Sequence, residues 1–291
     1  MPGLANRRKG LYRGRGQTLT DRHMDKTQTL KEKVLEQNIK VHAEEARVYE
    51  RLHPQLFNWY HRKKSQNDIG FILASFDTKL DIEVLDLGCG TGFLTTKIMR
   101  SPKVRTTAVD LSPEMLSELE KKIEPLWIGR ISLINKEAME FLRSDRARYD
   151  IIMASAFFHH VVDFKEFFDV ILARLKPGGL FYIAYEPLKQ SIDSKVKFIL
   201  HRCIRALDMA IFKFRLKMEG ITLDHSHERS MADYQTILGG IDPVDVIGYL
   251  KKHGAIVKFD KFSTRANGVL AFISDKIIRS QNTFSITFRK P

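Results

Sequence analysis

Between residues 82 and 186, short apolar runs alternate with longer stretches whose apolar residues recur every three or four positions. Runs of the first kind read as strands covered on both faces, and stretches of the second kind as helices with one apolar stripe. The pattern predicts strands at 82–87, 105–110, 131–136, 149–156 and 179–186, with helices starting near Gly92, Pro113, Ala138 and Asp163. Pro113 suits a first helical turn, and Lys176-Pro177-Gly178-Gly179 ends a helix and turns into a strand. Upstream, Leu30 to Phe76 has a helical pattern with Val48, Leu52, Leu56 and Trp59 among polar residues, and Pro54 marks a break between two helices. Residues 1–26 are rich in glycine and arginine and poor in large apolar residues, so they are expected to be disordered.

The first strand runs straight into a glycine loop, Val84-Leu85-Asp86-Leu87-Gly88-Cys89-Gly90-Thr91-Gly92-Phe93, and the second ends in a carboxylate, Asp110. Glycine has no Cβ, so such a loop can turn sharply and approach a ligand closely. An acid at the tip of the second strand is placed to accept hydrogen bonds from a ribose diol, so an adenosyl-bearing ligand is expected. The spacing Asp86-x-Gly88-x-Gly90-x-Gly92 lacks the Gly-x-Gly-x-x-Gly pattern of dinucleotide sites and resembles motif I of the class I S-adenosylmethionine-dependent methyltransferases.

The resemblance continues through Asp110-Leu111-Ser112-Pro113-Glu114-Met115-Leu116, Tyr149-Asp150-Ile151-Ile152-Met153-Ala154-Ser155, His159-His160-Val161-Val162-Asp163 and Leu175-Lys176-Pro177-Gly178-Gly179-Leu180. The double histidine followed by an acid is similar to the small-molecule branch often called type 11. The family implies an α/β fold: a Rossmann-like, doubly wound seven-stranded sheet with its last strand antiparallel. It also implies an N-terminal helical cap, here residues 27–76, that closes over the cofactor, ahead of a methyltransferase domain at 77–291. On that template a helix falls at Pro243–His253, the sixth strand at Ala255–Phe262 and the seventh at Thr283–Lys290. Two insertions are left over, a helical lid at 188–240 and a second at 263–282. Both are expected at the substrate side or edge of the sheet, where acceptor identity would reside.

Composition adds to this picture mainly through charge. Of a net charge of +13, residues 1–26 carry seven cations against two acids, and residues 188–218 carry eight against two. The core is therefore close to neutral, and the basic segments suit phosphate-bearing partners, RNA or anionic lipid, or a solvated tail and helix face. Cys89 and Cys203 are the only cysteines, the first thirty residues lack a secretory apolar core, and no apolar stretch reaches a membrane span. A cytoplasmic protein is expected.

The lid contains a helix apolar on two sides. Val196, Ile199, Leu200, Cys203, Leu207, Ala210, Ile211, Phe214 and Met218 form a stripe expected to face the core, and Phe198, Met209, Phe212 and Leu216 fall roughly opposite, around Arg205. Either the helix is sandwiched under the apolar second insertion, Val269–Ile273 and Ile277-Ile278, or it is a lid or interfacial helix whose basic flanks suit anionic lipid or a prenyl-like substrate.

By motif position, the resemblance implies that Asp86 and the amides around Gly88, Gly90 and Gly92 hold the methionine end of S-adenosylmethionine. Asp110 would take the ribose, Leu111 would border the adenine, and Glu137 would accept from its amine, where the family usually has aspartate. Ser155 and Ala156 would lie along the methionine and its methyl, and Tyr49, with His53 on the same helical face, would cap the pocket. His159 and His160 are candidates for deprotonating the acceptor, or are structural residues at a helix entry. Tyr185 and Glu186 end the fifth strand and either line the acceptor pocket or, for Glu186, anchor a loop. His225 and His227 fall short of the three or four convergent ligands a zinc site needs, and no metal site is expected. The expected reaction is transfer of a methyl group to oxygen of a small or lipid-like acceptor, with an RNA or protein methyltransferase as the alternative. The run Ala154-Ser155-Ala156-Phe157 stands where base-methylating relatives carry Asn-Pro-Pro-Tyr, which disfavours nucleobase methylation.

Overall fold

β1 (Ile82–Leu87) lies inside a seven-stranded sheet, because four of its six residues are apolar and alternate faces of the strand are both covered. The computed structural model describes residues 19–76, 78, 81–189, 195–221, 236 and 239–291. β1 pairs in parallel with β2 (Val104–Asp110) and β4 (Tyr149–Ser155). β3 (Ile131–Asn135) lies outside β2, and β5 (Leu175–Pro187) lies beyond β4. An antiparallel pair, β6 (Ala255–Phe262) and β7 (Thr283–Arg289), completes the order β3-β2-β1-β4-β5-β7-β6. This is the doubly wound, Rossmann-like sheet expected, and its strands match the predicted ones to within a residue at either end, except β5, which begins four residues early.

The pleat sorts side chains into two cores. Leu85, Ile152, Phe181 and Phe284 point to one side, against α7 (Ala138–Ser144), α8 (Phe164–Arg174) and α10 (Pro243–Leu250). Val84, Ile151, Met153 and Tyr182 point to the other, against α4 (Trp59–Ala74) and α5 (Thr95–Ile98). α6 (Pro113–Glu120) starts at Pro113, with the Ser112 hydroxyl accepting the Met115 N–H at 3.2 Å.

The N-terminal segment is helical from Leu19, so α1 (Leu19–Glu45) begins inside the stretch expected as a tail; residues 1–18 lie outside the described residues. After α1 the chain breaks into α2 (Tyr49–Leu52) and α3 (Pro54–Phe57), with Pro54 at the predicted break. α4 is pinned to the sheet by Asp68, whose buried carboxylate accepts from Lys64 at 2.7 Å, Lys258 at 2.6 Å and the Tyr182 hydroxyl at 2.8 Å. Two turns earlier, His61 is fully buried. Burial, reinforced by the charge of Lys64, pulls its pKa down from 6.5 to about 3.

A depressed histidine pKa leaves stability intact above pH 6.5 and removes it as pH falls toward 3, because the unfolded chain takes up the proton first. Relative to wild type, His61→Phe should therefore gain about 2 kcal/mol between neutral pH and roughly pH 5 in urea unfolding, at 1.36 kcal/mol per pKa unit. An unchanged acid limb would assign the acid loss to other groups.

The helix of the first insertion, α9 (Lys195–Met218), lines neither of the cavities described below, and it is turned the other way from the expectation. Its buried positions are His201, Asp208 and Leu216, while the long apolar stripe from Val196 to Met218 faces outward. Polar contacts decide the rotation. Asp208 accepts the N–H groups of Ala266 at 2.9 Å and Asn267 at 2.8 Å, at the start of α11 (Gly268–Phe272), and His201 bonds Ser280 and Arg265. Turning these groups outward would orphan two amides and take one partner from the buried guanidinium of Arg265, which outweighs the apolar stripe's preference for burial. The second insertion supplies α11, continued as a π-helix over Ile273–Ile278. His225 and His227 lie outside the described residues.

Candidate cofactor and acceptor site

A cavity of about 450 Å³ opens at the C-terminal ends of β1, β2 and β4, where doubly wound sheets bind ligands. Gly88 and Gly90 lie in its wall with φ of 62° and 52°, left-handed values that favour glycine. A Cβ on Gly88 would lie 2.4 Å from the Phe157 ring, so at that position the constraint is steric as well as conformational. Asp110 also lines the cavity; its carboxylate accepts the Gly90 N–H at 2.7 Å and the Ser112 N–H at 2.9 Å, one on each oxygen. Burial raises its pKa despite those two amides. Leu111, Glu137, Ser155 and Ala156 complete the wall, and Ser155 Oγ is buried there without a hydrogen-bond partner.

Asp86 and Gly92 do not reach this cavity. The buried Asp86 carboxylate accepts from the Thr95 hydroxyl at 2.5 Å, bracing the loop against α5, and burial pushes its pKa up to about 7. Gly92 borders a separate cavity with Phe93 and Trp127. Glu137 lines the main cavity, but both of its oxygens cap α7, accepting from Met139 at 2.9 Å and Glu140 at 2.7 Å.

α1 forms the lid of this cavity with Lys31, Val34, Leu35, Asn38, Ile39 and His42. Their spacing of three and four residues is a helical stripe, a signal that the sequence reading left unused. Lys31 clamps the lid to α8 through Glu166 at 2.8 Å, and Arg143 holds the same carboxylate at 2.6 Å.

A second cavity of about 270 Å³ adjoins the first, and both are lined by His42, Tyr49, Ala156 and His160. Its other walls are largely polar: Glu45, His53, Gln55, His159, Thr264, Asn282 and Thr283, with Tyr185 beside them. Tyr49 stacks on His53 with ring centroids 4.2 Å apart, and His53 Nε2 lies 3.0 Å from Glu45. Ala156 and Tyr185, at the ends of β4 and β5, hold φ of 50° and 59°, strain concentrated where the two cavities meet.

The buried Glu186 organises the far wall. One oxygen accepts the amides of Phe157 at 2.9 Å and Phe158 at 2.8 Å; the other accepts the His159 amide at 3.1 Å and faces His159 Nδ1 at 3.0 Å. The carboxylate thus anchors the loop and fixes the ring, with the proton on Nδ1 and Nε2 as the basic nitrogen. The His160 ring stacks on His159 at 4.0 Å and meets His42 edge-on at 5.3 Å. The structure thus brings Tyr49, Gly88, Gly90, Asp110, Leu111, Glu137, Ser155 and both histidines to the two cavities, and leaves Asp86 and Gly92 behind the loop. No group of three or more metal-ligating side chains occurs among the described residues.

Residues 84–179 match the model of a methyltransferase domain. The malonyl-[acyl-carrier protein] O-methyltransferase of Priestia megaterium is 35% identical over 100 residues, which is 34% of this chain and 35% of that protein. A second enzyme of that name, from Ilyobacter polytropus, is 28% identical over 131 residues, 40% of this chain and 47% of its own. The chain thus spans about a third to a half of the length of these curated relatives. Among solved structures, the plantazolicin methyltransferase BpumL in complex with SAH superposes with a TM-score of 0.52 over 92% of this chain and 98% of its own, at 13% identity, a likeness of fold. The glycine loop, the sheet order and the methyltransferase-domain match over residues 84–179 give this chain the fold and the matched domain of the class I S-adenosylmethionine-dependent methyltransferases.

Proposed function

We infer that the chain transfers a methyl group from S-adenosylmethionine to oxygen of a small or lipid-like acceptor. The residues of the first cavity fit the cofactor. Its volume is in the range of small-molecule sites, Asp110 keeps further lone pairs for a ribose diol, and Ser155 Oγ is a buried polar atom lacking a partner. Gly88, Gly90, Asp110, Leu111, Glu137 and Ser155 would hold it, with Tyr49 and α1 covering it. Since Glu137 already caps α7, only its remaining lone pairs could serve the adenine. Asp86 would act through the loop it braces. When bound, the cofactor supplies an electrophilic methyl group to an in-line displacement, so the chain's task is to align the acceptor and remove its proton.

The observation that carries the reading is the junction of the two cavities at Tyr49, Ala156 and His160, with the His159–Glu186 pair in the wall of the second. The second cavity seats the reacting end of the acceptor. His159 takes the hydroxyl proton at Nε2 while Nδ1–H donates to Glu186, which stabilises the imidazolium. His160 and Tyr49 exclude water from the line of transfer. The polar lining suits a hydroxyl or carboxyl head on the acceptor, and the relatives named above as O-methyltransferases support oxygen as the target.

Incubating the protein with methyl-labelled S-adenosylmethionine and a cell lysate, then separating lipid, small-molecule, RNA and protein fractions, tests this directly. Label in the lipid or small-molecule fraction is expected, base-stable where the acceptor is a hydroxyl and base-labile where it is a carboxylate. Label confined to RNA or protein would overturn the acceptor class.

A further inference from the structure

We propose that α9 is an interfacial helix that docks the protein on an anionic lipid bilayer through its outward stripe. The stripe is long and bare: Val196 is 66% exposed, Leu207 51%, Phe214 67% and Met218 72%, with Ile199, Leu200 and Ile211 also exposed between them. A soluble helix normally turns such a face inward, and here the inward face is held by Asp208 and His201 instead.

The charges complement an anionic surface. On the helical wheel, Lys197 and Arg215 run along one edge of the stripe, and Arg202, Lys213 and Lys217 along the other. The only acid in the helix, Asp208, is buried against the body. An apolar strip with cations on both borders lets aliphatic side chains enter the acyl boundary while the cations reach phosphates. No helix among the described residues is long and apolar enough to cross a membrane, so α9 lies on the surface.

Other occupants fit less well. A second copy packed stripe to stripe would bring its own basic borders against these, with like charges opposed. RNA would use the cations and leave the apolar side chains in water. The docking does not depend on the acceptor, although the two features adjoin. Asp208 holds the amides of Ala266 and Asn267, and Thr264, two residues before Ala266, lines the second cavity.

Sedimentation of the full chain with vesicles, without cofactor or acceptor, tests the docking. The protein should pellet with phosphatidylcholine vesicles containing phosphatidylglycerol and remain in solution with phosphatidylcholine alone, and added salt should weaken the binding. The Leu207→Asp, Phe214→Asp double variant should lose at least about tenfold in vesicle affinity, given that the apolar and electrostatic terms act together. Its melting temperature should stay close to wild type, because both side chains are more than half exposed. Lys213→Gln with Lys217→Gln should weaken the preference for anionic vesicles. Failure of wild type to pellet with anionic vesicles, or equal pelleting by the aspartate variant, overturns the proposal. So does a vesicle-free dimer that the aspartate variant dissociates, or binding of an RNA oligonucleotide that the aspartate variant leaves intact while vesicles are ignored.

Discussion

The Glu186→Gln variant is expected to fold, to bind S-adenosylhomocysteine about as tightly as the parent chain, and to transfer methyl groups about 100-fold more slowly or worse, the range of a lost general base. The reason lies in the direction of one proton. Glu186 faces both the amide and Nδ1 of His159, so a carboxylate there keeps the ring proton on Nδ1. A glutamine can still accept from Phe157 and Phe158 with its oxygen, but its NH2 group then points at His159. The ring can meet that donor only with an unprotonated Nδ1, which moves the proton to Nε2 and removes the base. Glu186→Ala should behave differently: orphaning three buried amides costs about 1–3 kcal/mol each before relaxation, so a loss of roughly 3 kcal/mol in chemical unfolding is expected. Wild-type transfer rates in Glu186→Gln with unchanged cofactor binding would remove His159 from the mechanism and leave Glu186 as a loop anchor alone.

The strands and the glycine loop were legible because their signals are local. An apolar run such as Ile151–Ala154 can be buried only in the middle of a sheet, and Pro113 marks a helix start whatever lies around it. The rotation of α9 was not legible. Its apolar periodicity pointed inward, and the groups that overrode it, Ala266, Asn267 and Ser280, are 58 to 79 residues distant from their partners in the chain. Asp86 shows the same limit at closer range. Its place in the motif suggested a ligand contact, yet Thr95, nine residues on, takes the carboxylate once the loop closes. Glu186 had two possible roles in the sequence, and the geometry gives it the loop anchor: it lines neither cavity, and its carboxylate ties the loop amides and, beyond either expectation, faces His159. Lys31 to His42 carried their stripe openly, but nothing local says which cavity a helix will cover.

Asp110→Ala is expected to weaken S-adenosylhomocysteine binding by about 100-fold, and titration calorimetry would measure it. Two hydrogen bonds from ribose hydroxyls to a carboxylate contribute about 3 kcal/mol together, and each 1.4 kcal/mol is a factor of ten. The carboxylate also holds the amides of Gly90 and Ser112, so its removal loosens the loop that forms the cavity wall. Asp110→Asn separates the two contributions. It keeps an oxygen for Ser112 while turning a donor toward the Gly90 N–H, so it should bind between wild type and alanine. The raised pKa adds a pH signature. Protonation removes acceptor capacity, and burial makes the proton bind more tightly than to an ordinary aspartate. Wild-type affinity should therefore begin to fall at a higher pH than a solvated aspartate would give, and the alanine variant should lose that step. If Asp110→Ala binds the ligand as wild type does and melts at the same temperature, the ribose is held elsewhere and the orientation of the cofactor in the cavity must be reassigned.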